Sequence, residues 1–435
     1  MSGRLHLISL GCTKNLVDSE VMLGTLKNFE IIDNIENADV IIVNTCGFID
    51  SAKQESINTI LDVHSQRRED SLLVVTGCLT QRYQEELSKE LPEVDVFTGV
   101  SEFHKIDELI RDRFSKFSDE TFLQSNQRRV ITGSSYHAYI KIAEGCNQSC
   151  SFCAIPSFKG KLKSRDLESI TKEVKDLVNQ GYFDFSFISQ DTSSYLRDFD
   201  KKDGLIELIS EIEKIDGVKS ARILYLYPTT TSKKLIDKIK ESKTFQNYFD
   251  IPIQHISDFM LKTMKRGLGE NQLKELLNYI KDDNSFVRTS FIIGHPRESK
   301  SDFNSILEYL KEFGFDRVNI FSYSDEEGTT AYEMSEKIAD EEIENRVDTI
   351  EELSSELILQ KAKNYIGKEL FAVIDGESDE HEYLLSARAL IWAPDIDGEI
   401  LVNDSKIENL NYQREIYKIK ITDTAGDKLV GQVIK

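Results

Sequence analysis

The chain has 435 residues, 54 of them basic and 76 acidic, for a formal net charge of −22. That length accommodates two or three domains at roughly 100–200 residues each, and an apolar content of 40% fills their cores. Such an acid surplus repels nucleic-acid phosphates and suits a basic partner, and with no long apolar h-region at the N-terminus and no run near the roughly 18 apolar residues of a membrane span, a cytoplasmic protein without membrane contact is expected.

Residues 1–120 alternate short apolar runs with helical spacing. "RLHLISLGC" ends at Cys12, "ADVIIVNTCG" runs into Cys46 and "SLLVVTGC" ends at Cys78, each followed by a segment of helical period. Short Val/Ile/Leu runs bounded by Gly, Asn or Thr predict buried parallel strands with crossover helices. All three cysteines then stand at the carboxyl end of a strand, the edge of an open α/β sheet where ligands bind. One strand-end cysteine is most often a small buried hydrophobe. Three in the same topological place predict a shared site.

A polar stretch, "SDETFLQSNQRR", marks the boundary before residues 132–365. Six apolar runs follow: "AYIKIAEGC", "DFSFISQDTS", "ARILYLYP", "YFDIPIQHIS", "VRTSFIIGHP" and "RVNIFSYSDEEGT", with helical segments between. Six strand–helix units predict a partial (β/α)6 barrel whose active site lies at the carboxyl ends of its strands. A long helix closes the unit, with Ile343, Val347, Ile350, Leu353 and Leu357 on one face and Gly367 as its stop. Residues 366–435 change texture. They are rich in β-branched and aromatic residues with turn signals at Asp397-Gly398 and Gly426-Asp427, which predicts a small all-β domain.

The loop after the first barrel strand reads "AEGCNQSCSFCAIPSFKG". In a cytosolic setting, grouped cysteines favour metal or redox chemistry over disulfides. A structural zinc site closes with four ligands, and a 4Fe–4S cubane normally takes four thiolates. Three thiolates therefore leave one iron of a cubane open. An open iron can chelate the amino and carboxylate groups of a methionine moiety and pass an electron into the adjacent sulfonium.

This loop, with Cys146, Cys150, Cys153 and the aromatic Phe152, resembles the radical S-adenosylmethionine superfamily. The second set, Cys12, Cys46 and Cys78, followed by a radical barrel and a C-terminal β-domain, is similar to the methylthiotransferases over essentially the whole chain. The resemblance implies an N-terminal α/β domain holding an auxiliary 4Fe–4S cluster, a radical barrel holding a second 4Fe–4S cluster, and a TRAM-like β-barrel. It also implies two molecules of S-adenosylmethionine per turnover, one giving the methyl group and one the radical that abstracts hydrogen. The inserted sulfur, as sulfide or polysulfide, would be carried on the open iron of the auxiliary cluster, and a low-potential donor would supply electrons. The two clusters are then expected to face each other across one cavity.

Six stretches resemble the ribosomal-protein branch, RimO, in particular: "SLGCTKNLVDSE", "EGCNQSCSFCAIPSFKGKLKSR", "QDTSSY", "LYLYP", "DIPIQHISD…MKRG" and "FSYSDEEGT". That branch implies insertion at the β-carbon of an aspartate of small-subunit ribosomal protein number twelve. Where the tRNA branch has Gln-Met-Asn and Arg-Pro-Gly-Thr, this chain has Thr13-Lys14-Asn15 and Glu326-Glu327-Gly328-Thr329. It departs from the family's Gly-Phe-Pro-Gly-Glu, with Gly294-His295-Pro296-Arg297-Glu298. Residues 366–435 hold eight basic and fourteen acidic side chains, a net −6. An RNA-holding domain is expected to be basic, so this acidity favours a basic ribosomal protein and argues against RNA contact. The alternatives are methylthiolation of a tRNA adenosine, or a non-catalytic metal-binding module that docks on ribosomal components.

Further candidates are weaker signals. Gln190, Asp191, Gln254 and Arg288 are expected at or near strand ends as contacts for S-adenosylmethionine, with buried, satisfied polar groups as the plain alternative. Lys161, Lys163 and Arg165 are expected to hold a carboxylate of cofactor or substrate, against a solvated basic stretch. His255 and His295 read as structural. Trp392 reads as a core residue or as an exposed anchor for the partner.

Overall fold

The computed structural model describes residues 2–118, 120–125 and 127–435. Asp119 and Asn126, both in the polar stretch that marks the first boundary, lie outside the described residues.

The first sheet is built from β1 (Gly3–Ser9), β2 (Phe29–Ile31), β3 (Val40–Thr45), β4 (Leu72–Gly77) and β5 (Val96–Phe97), all parallel in the order β2-β1-β3-β4-β5. Between them run α1 (Thr13–Thr25), α2 (Asp50–Gln66), α3 (Cys78–Arg82) and α4 (Gln84–Glu90), with α5 (Ile106–Asp112) after β5. β3 and β4 are buried along their whole length, which is why they read as unbroken apolar runs. Alternation still sorts their side chains. Val40, Ile42, Leu72 and Val74 pack with Val21, Met22 and Ile106 on one face, while Ile41, Val43, Leu73 and Val75 pack with Ile60, Val63 and Leu79 on the other.

The barrel strands are β6 (His137–Lys141), then, after the short antiparallel pair β7 (Ala143–Glu144) and β8 (Lys163–Ser164), β9 (Asp184–Ile188), β10 (Ser220–Ile223), β11 (Tyr248–Asp250), β12 (Phe286–Ile293) and β13 (Arg317–Ser322). The orders β10-β9-β6 and β11-β12-β13 join where Leu226 N donates to Asp250 O at 2.8 Å, giving six parallel strands in chain order. The helices are α6 (Ile155–Lys159), α7 (Leu167–Asn179), α8 (Gly204–Ile212), α9 (Lys233–Glu241), α10 (Asp258–Thr263), α11 (Glu270–Ile280) and α12 (Lys300–Phe313), followed by the long α13 (Asp340–Lys363). α9 and α11 lie between the third and fourth and between the fourth and fifth apolar runs, where helical segments are expected. The chain leaves α13 through Gly367, whose φ of +86° is the left-handed conformation a stop at that point requires.

The C-terminal barrel closes as β14 (Glu369–Glu377), β15 (Leu385–Ala389), β16 (Ile400–Ser405), β18 (Lys428–Val433) and β17 (Ile416–Ala425), with the β17–β18 turn at Gly426. The segment after β15 reaches into the radical barrel. Trp392 is 3% exposed and packs with Tyr139, Ile188, Leu224, Tyr248 and Phe286, and Val17 of α1 joins the same cluster. Trp392 is therefore core, and the reading of it as an exposed anchor is set aside. Asp184, at the start of β9, accepts from Arg222 at 2.7 Å and from Arg388 of β15 at 2.6 Å, all three buried. Both cations hold the Asp184 carboxyl well below its ordinary range although burial opposes its charge.

Candidate active site

The three N-terminal cysteines converge because glycines let their loops touch. Cys12 caps the start of α1, Cys46 follows β3 and Cys78 begins α3. A Cβ on Gly11, which has φ +82°, would lie 2.6 Å from Cys46 Cβ and 2.8 Å from its Sγ. A Cβ on Gly47 would lie 2.7 Å from Leu79 Cα and 3.1 Å from the Cys78 carbonyl carbon. Asn15 ties the set together: its Nδ2 donates to Thr45 O at 3.0 Å and Leu10 O at 3.2 Å, and its Oδ1 accepts from Cys78 Sγ at 3.5 Å. Cys12 is exposed, while Cys46 and Cys78 are buried.

The second trio lies on the loop between β7 and α6. Gly145 and Gly160 both have positive φ, and Cys146 N donates to Gly160 O at 3.1 Å, closing the loop at its base. Gln148 N donates to Cys146 Sγ at 3.4 Å. Arg266 Nη1 donates to Cys150 Sγ at 3.1 Å, and the Tyr227 hydroxyl stands 3.6 Å from the same sulfur. Burial pushes the Cys146 thiol up to about 11 and those of Cys153 and Cys78 up to about 12. These thiols therefore keep their protons until a cation takes their place, as thiolate metal sites require.

The two trios meet. Cys78 packs directly with Ala154 and Phe158, the residues that follow Cys153. Behind the contact is a buried charge network: Lys141 Nζ donates to Asp18 of α1 and, at 2.7 Å, to Glu144. Lys159 Nζ lies 3.5 Å from Glu144 Oε1 and 3.8 Å from Asp18 Oδ2. A second bridge joins Glu326, 2% exposed, to Arg82 at 2.5 Å and Lys53 at 3.2 Å. The donor chemistry of both trios, soft sulfur with no imidazole or carboxylate in the set, fits iron–sulfur ligation. Among the described residues, no group of three His, Cys, Asp or Glu side chains is spaced to hold a single metal ion.

The weaker candidates divide. Gln190 follows β9, and its Nε2 donates to Glu144 while its Oε1 is buried without a partner. Gln254, with φ +72°, likewise has an unpartnered buried Oε1. Asp191 is engaged by its own loop: it accepts from Gln148 Nε2 at 2.8 Å and from Ser194 Oγ at 2.6 Å, so it holds the cysteine loop in place. Phe152 sets its ring edge-on to His295, and His295 Nε2 pairs with Ser151 Oγ at 3.0 Å, so the departure at 295 braces the same loop. Arg288 is the third residue of β12, five before the strand's end, and lies 3.7 Å from Asp250 and 3.9 Å from Asp397 of the C-terminal barrel.

Of the basic stretch, Lys161 and Lys163 are exposed, and Lys163 donates to Thr121 O at 3.0 Å. Arg165 is buried against Glu173 at 2.7 Å and Lys141 O at 2.8 Å. Lys163 and Arg165 therefore spend these donors on partners other than the cysteines at the meeting of the trios. The cations that do stand there are Lys159 and Lys14, whose Nζ lies 3.6 Å over the Tyr225 ring. Sequence reasoning gave neither a place at the site, nor Asn15, Glu144, Tyr227 and Arg266; Tyr227 and Arg266 reach the cysteines only through the fold. A cleft of about 640 Å³ between residues 124, 125 and 127–131 and α7 has no cysteine in its lining.

Residues 4–99 match the family described as "Uncharacterized protein family UPF0004", residues 140–310 the Radical SAM superfamily and residues 366–434 the TRAM domain. A relative from Aliarcobacter butzleri, named "Ribosomal protein uS12 methylthiotransferase RimO", is 60% identical over 99% of this chain and 98% of its own. A relative of the same name from Sulfurimonas denitrificans is also 60% identical, again over 99% of this chain and 98% of its own. Among solved structures, the radical S-adenosylmethionine methyltransferase TsrM from Kitasatospora setae, with cobalamin and a [4Fe-4S] cluster bound, matches with a TM-score of 0.54. At 13% identity over 74% of this chain and 72% of that one, the likeness is one of fold.

Proposed function

The chain belongs to the RimO family of ribosomal protein uS12 methylthiotransferases, and from that premise we propose that it inserts a methylthio group into uS12, at the β-carbon of an aspartate. The observation that supports the reading is the packing of Cys78 with Ala154 and Phe158, which brings the N-terminal cysteine site against the segment that follows the radical-loop cysteines. Cys146, Cys150 and Cys153 would hold a 4Fe–4S cluster together with S-adenosylmethionine, and Cys12, Cys46 and Cys78 a second cluster. When bound, these groups supply the electron that cleaves S-adenosylmethionine to a hydrogen-abstracting radical and the iron that carries the sulfur to be inserted.

The chain's own residues do the rest. Arg266 Nη1 and the amide of Gln148 donate to the sulfurs of Cys150 and Cys146 and fix their direction. Asp191, Ser151 and His295 fix the loop that bears them. The unpaired oxygens of Gln190 and Gln254 are acceptors for the ammonium or ribose hydroxyls of S-adenosylmethionine. The substrate is a basic ribosomal protein, consistent with the net −6 of residues 366–435. No helix among the described residues is long and apolar enough to cross a membrane.

The test is anaerobic reconstitution followed by metal analysis and turnover. About eight irons per chain, as two 4Fe–4S clusters require, and 5′-deoxyadenosine formation with dithionite and S-adenosylmethionine are expected. Mass spectrometry of uS12 set against tRNA then identifies the substrate. Zinc in place of iron, with S-adenosylmethionine intact, overturns the reading.

A further inference from the structure

Lys159, the last residue of α6, is 5% exposed and makes no hydrogen bond through Nζ. Its two nearest carboxylates, Glu144 and Asp18, are already served. Lys141 donates to both, and Gln190 donates to Glu144. Lys141 alone leaves one negative charge in that group, so Lys159 completes the charge balance while its N–H groups stay without acceptors. An enclosed ammonium with unmet donors costs free energy unless another acceptor arrives. Burial opposes its charge, and the carboxylates that offset this are Glu144 at 3.5 Å and Asp18 at 3.8 Å, both beyond good hydrogen-bond geometry. It ends the short helix whose Phe158, with Ala154 just before the helix, packs with Cys78 on the seam between the two cysteine sites.

We propose that Lys159 is a positioning residue for the N-terminal cysteine site, whose free N–H groups hold a small anionic sulfur species, hydrosulfide or the end of a polysulfide, beside Cys12 and Cys78. The inference rests on the reading of that site as a cluster with an iron open to exogenous sulfur. Two features favour a small sulfur anion over a substrate carboxylate. The ammonium is enclosed, and a side chain carried on a protein backbone has little room to reach it. It also follows Phe158, which packs with Cys78 of the N-terminal sheet, where sulfur is the ligand in play.

The experiment isolates the N-terminal site in protein carrying Cys146→Ala, Cys150→Ala and Cys153→Ala, reconstituted with iron and sulfide. About four irons per chain, one 4Fe–4S cluster, is expected. If the chain takes up no iron, the two-site reading itself fails, whatever Lys159 does. Hydrosulfide and methanethiolate are then titrated while the reduced cluster is followed by electron paramagnetic resonance. Adding Lys159→Met is expected to raise the half-saturating concentration of both probes about tenfold or more, the size of a lost charge-assisted hydrogen bond, and Lys159→Arg to restore part of it. If the Met variant loses its iron, Lys159→Gln against Lys159→Arg makes the same comparison of neutral with charged side chains. Equal half-saturation with and without the charge overturns the proposal. So does an effect seen only as a raised KM for uS12 in the six-cysteine enzyme, which would make Lys159 a carboxylate contact.

Discussion

Arg266 Nη1 donates to Cys150 Sγ at 3.1 Å, and the same guanidinium lies 4.3 Å over the ring of Tyr227, whose hydroxyl is 3.6 Å from that sulfur. One cysteine of the radical loop is thus braced by a stacked Arg–Tyr pair. The other Arg266 nitrogen donates to Pro252 O at 2.5 Å, which fixes its direction. Arg266→Met removes the donor and keeps most of the volume. A hydrogen bond to a charged group contributes about 1.5–3 kcal/mol, so 5′-deoxyadenosine formation is expected to fall about 10- to 100-fold. A lowered midpoint potential of that cluster should accompany the loss, because a nearby positive charge favours the reduced, more negative state. Unchanged potential and unchanged cleavage would show that Arg266 only packs.

Gly11 tests how the N-terminal site closes. At φ +82°, with the position of a Cβ 2.6 Å from Cys46 Cβ, there is room for hydrogen alone. Gly11→Ala forces the Cys12 loop away from Cys46. Because this strain lies at the edge of the sheet, the fold should survive while the site does not. Iron after reconstitution is expected to drop from about eight to about four per chain, with the radical-loop cluster retained.

The organisation of this chain was legible in its sequence because parallel strands buried on both faces read as unbroken Val/Ile/Leu runs, and three such runs ended in cysteine. The short edge strands β2 and β5 carry too few residues for any period to show. At the site, the cysteines announced themselves by spacing, whereas Arg266, Tyr227 and Lys159 did not. Arg266 is more than a hundred residues from Cys150, and nothing in "MKRG" shows that its arginine turns back to a sulfur. The basic stretch at 161–165 follows the cysteine loop, but its spacing does not show which of its cations are already engaged. Arg165 is held by Glu173, and the buried ammonium left without a hydrogen bond is that of Lys159, six positions before it.

Glu326 joins the N-terminal sheet to the barrel, so its loss should loosen one against the other. Its carboxylate accepts from Arg82, Lys53 and, at 2.6 Å, Ser324 Oγ, and its burial makes the pairing strong in the sense that removing one partner strands the rest. Breaking such a buried pair costs about 3–5 kcal/mol. Glu326→Gln is expected to speed amide exchange in α2 and α3 more than in the C-terminal barrel, and to cut methylthiolation more than cleavage of S-adenosylmethionine. An Arg82→Ala change in the same background should add little, since the two share one interaction. Additive losses would place the two residues in separate roles.

His255 supplies a pH dependence that can be isolated. Its Nδ1 accepts from the amides of Ile256 at 2.8 Å and Ser257 at 3.0 Å, which puts the ring proton on Nε2, 3.8 Å from Glu298. Burial is the main cause that lowers its pKa from 6.5 to about 3, with Asp302 opposing and His295 adding. Below pH 6.5 the unfolded chain therefore takes up a proton that the folded chain refuses until about pH 3, so stability falls as the pH drops through that window. Between pH 7 and pH 5 the residue should cost about 2 kcal/mol. Glu298, whose pKa burial raises, slopes the other way above pH 4.5, so the wild-type curve alone mixes the two. His255→Asn keeps an acceptor for the two amides and removes the titration. Urea unfolding of both proteins at pH 7 and pH 5 should show the variant losing about 2 kcal/mol less than the wild type over that interval. Parallel losses would mean that His255 is solvated enough in the folded state to titrate near its ordinary value.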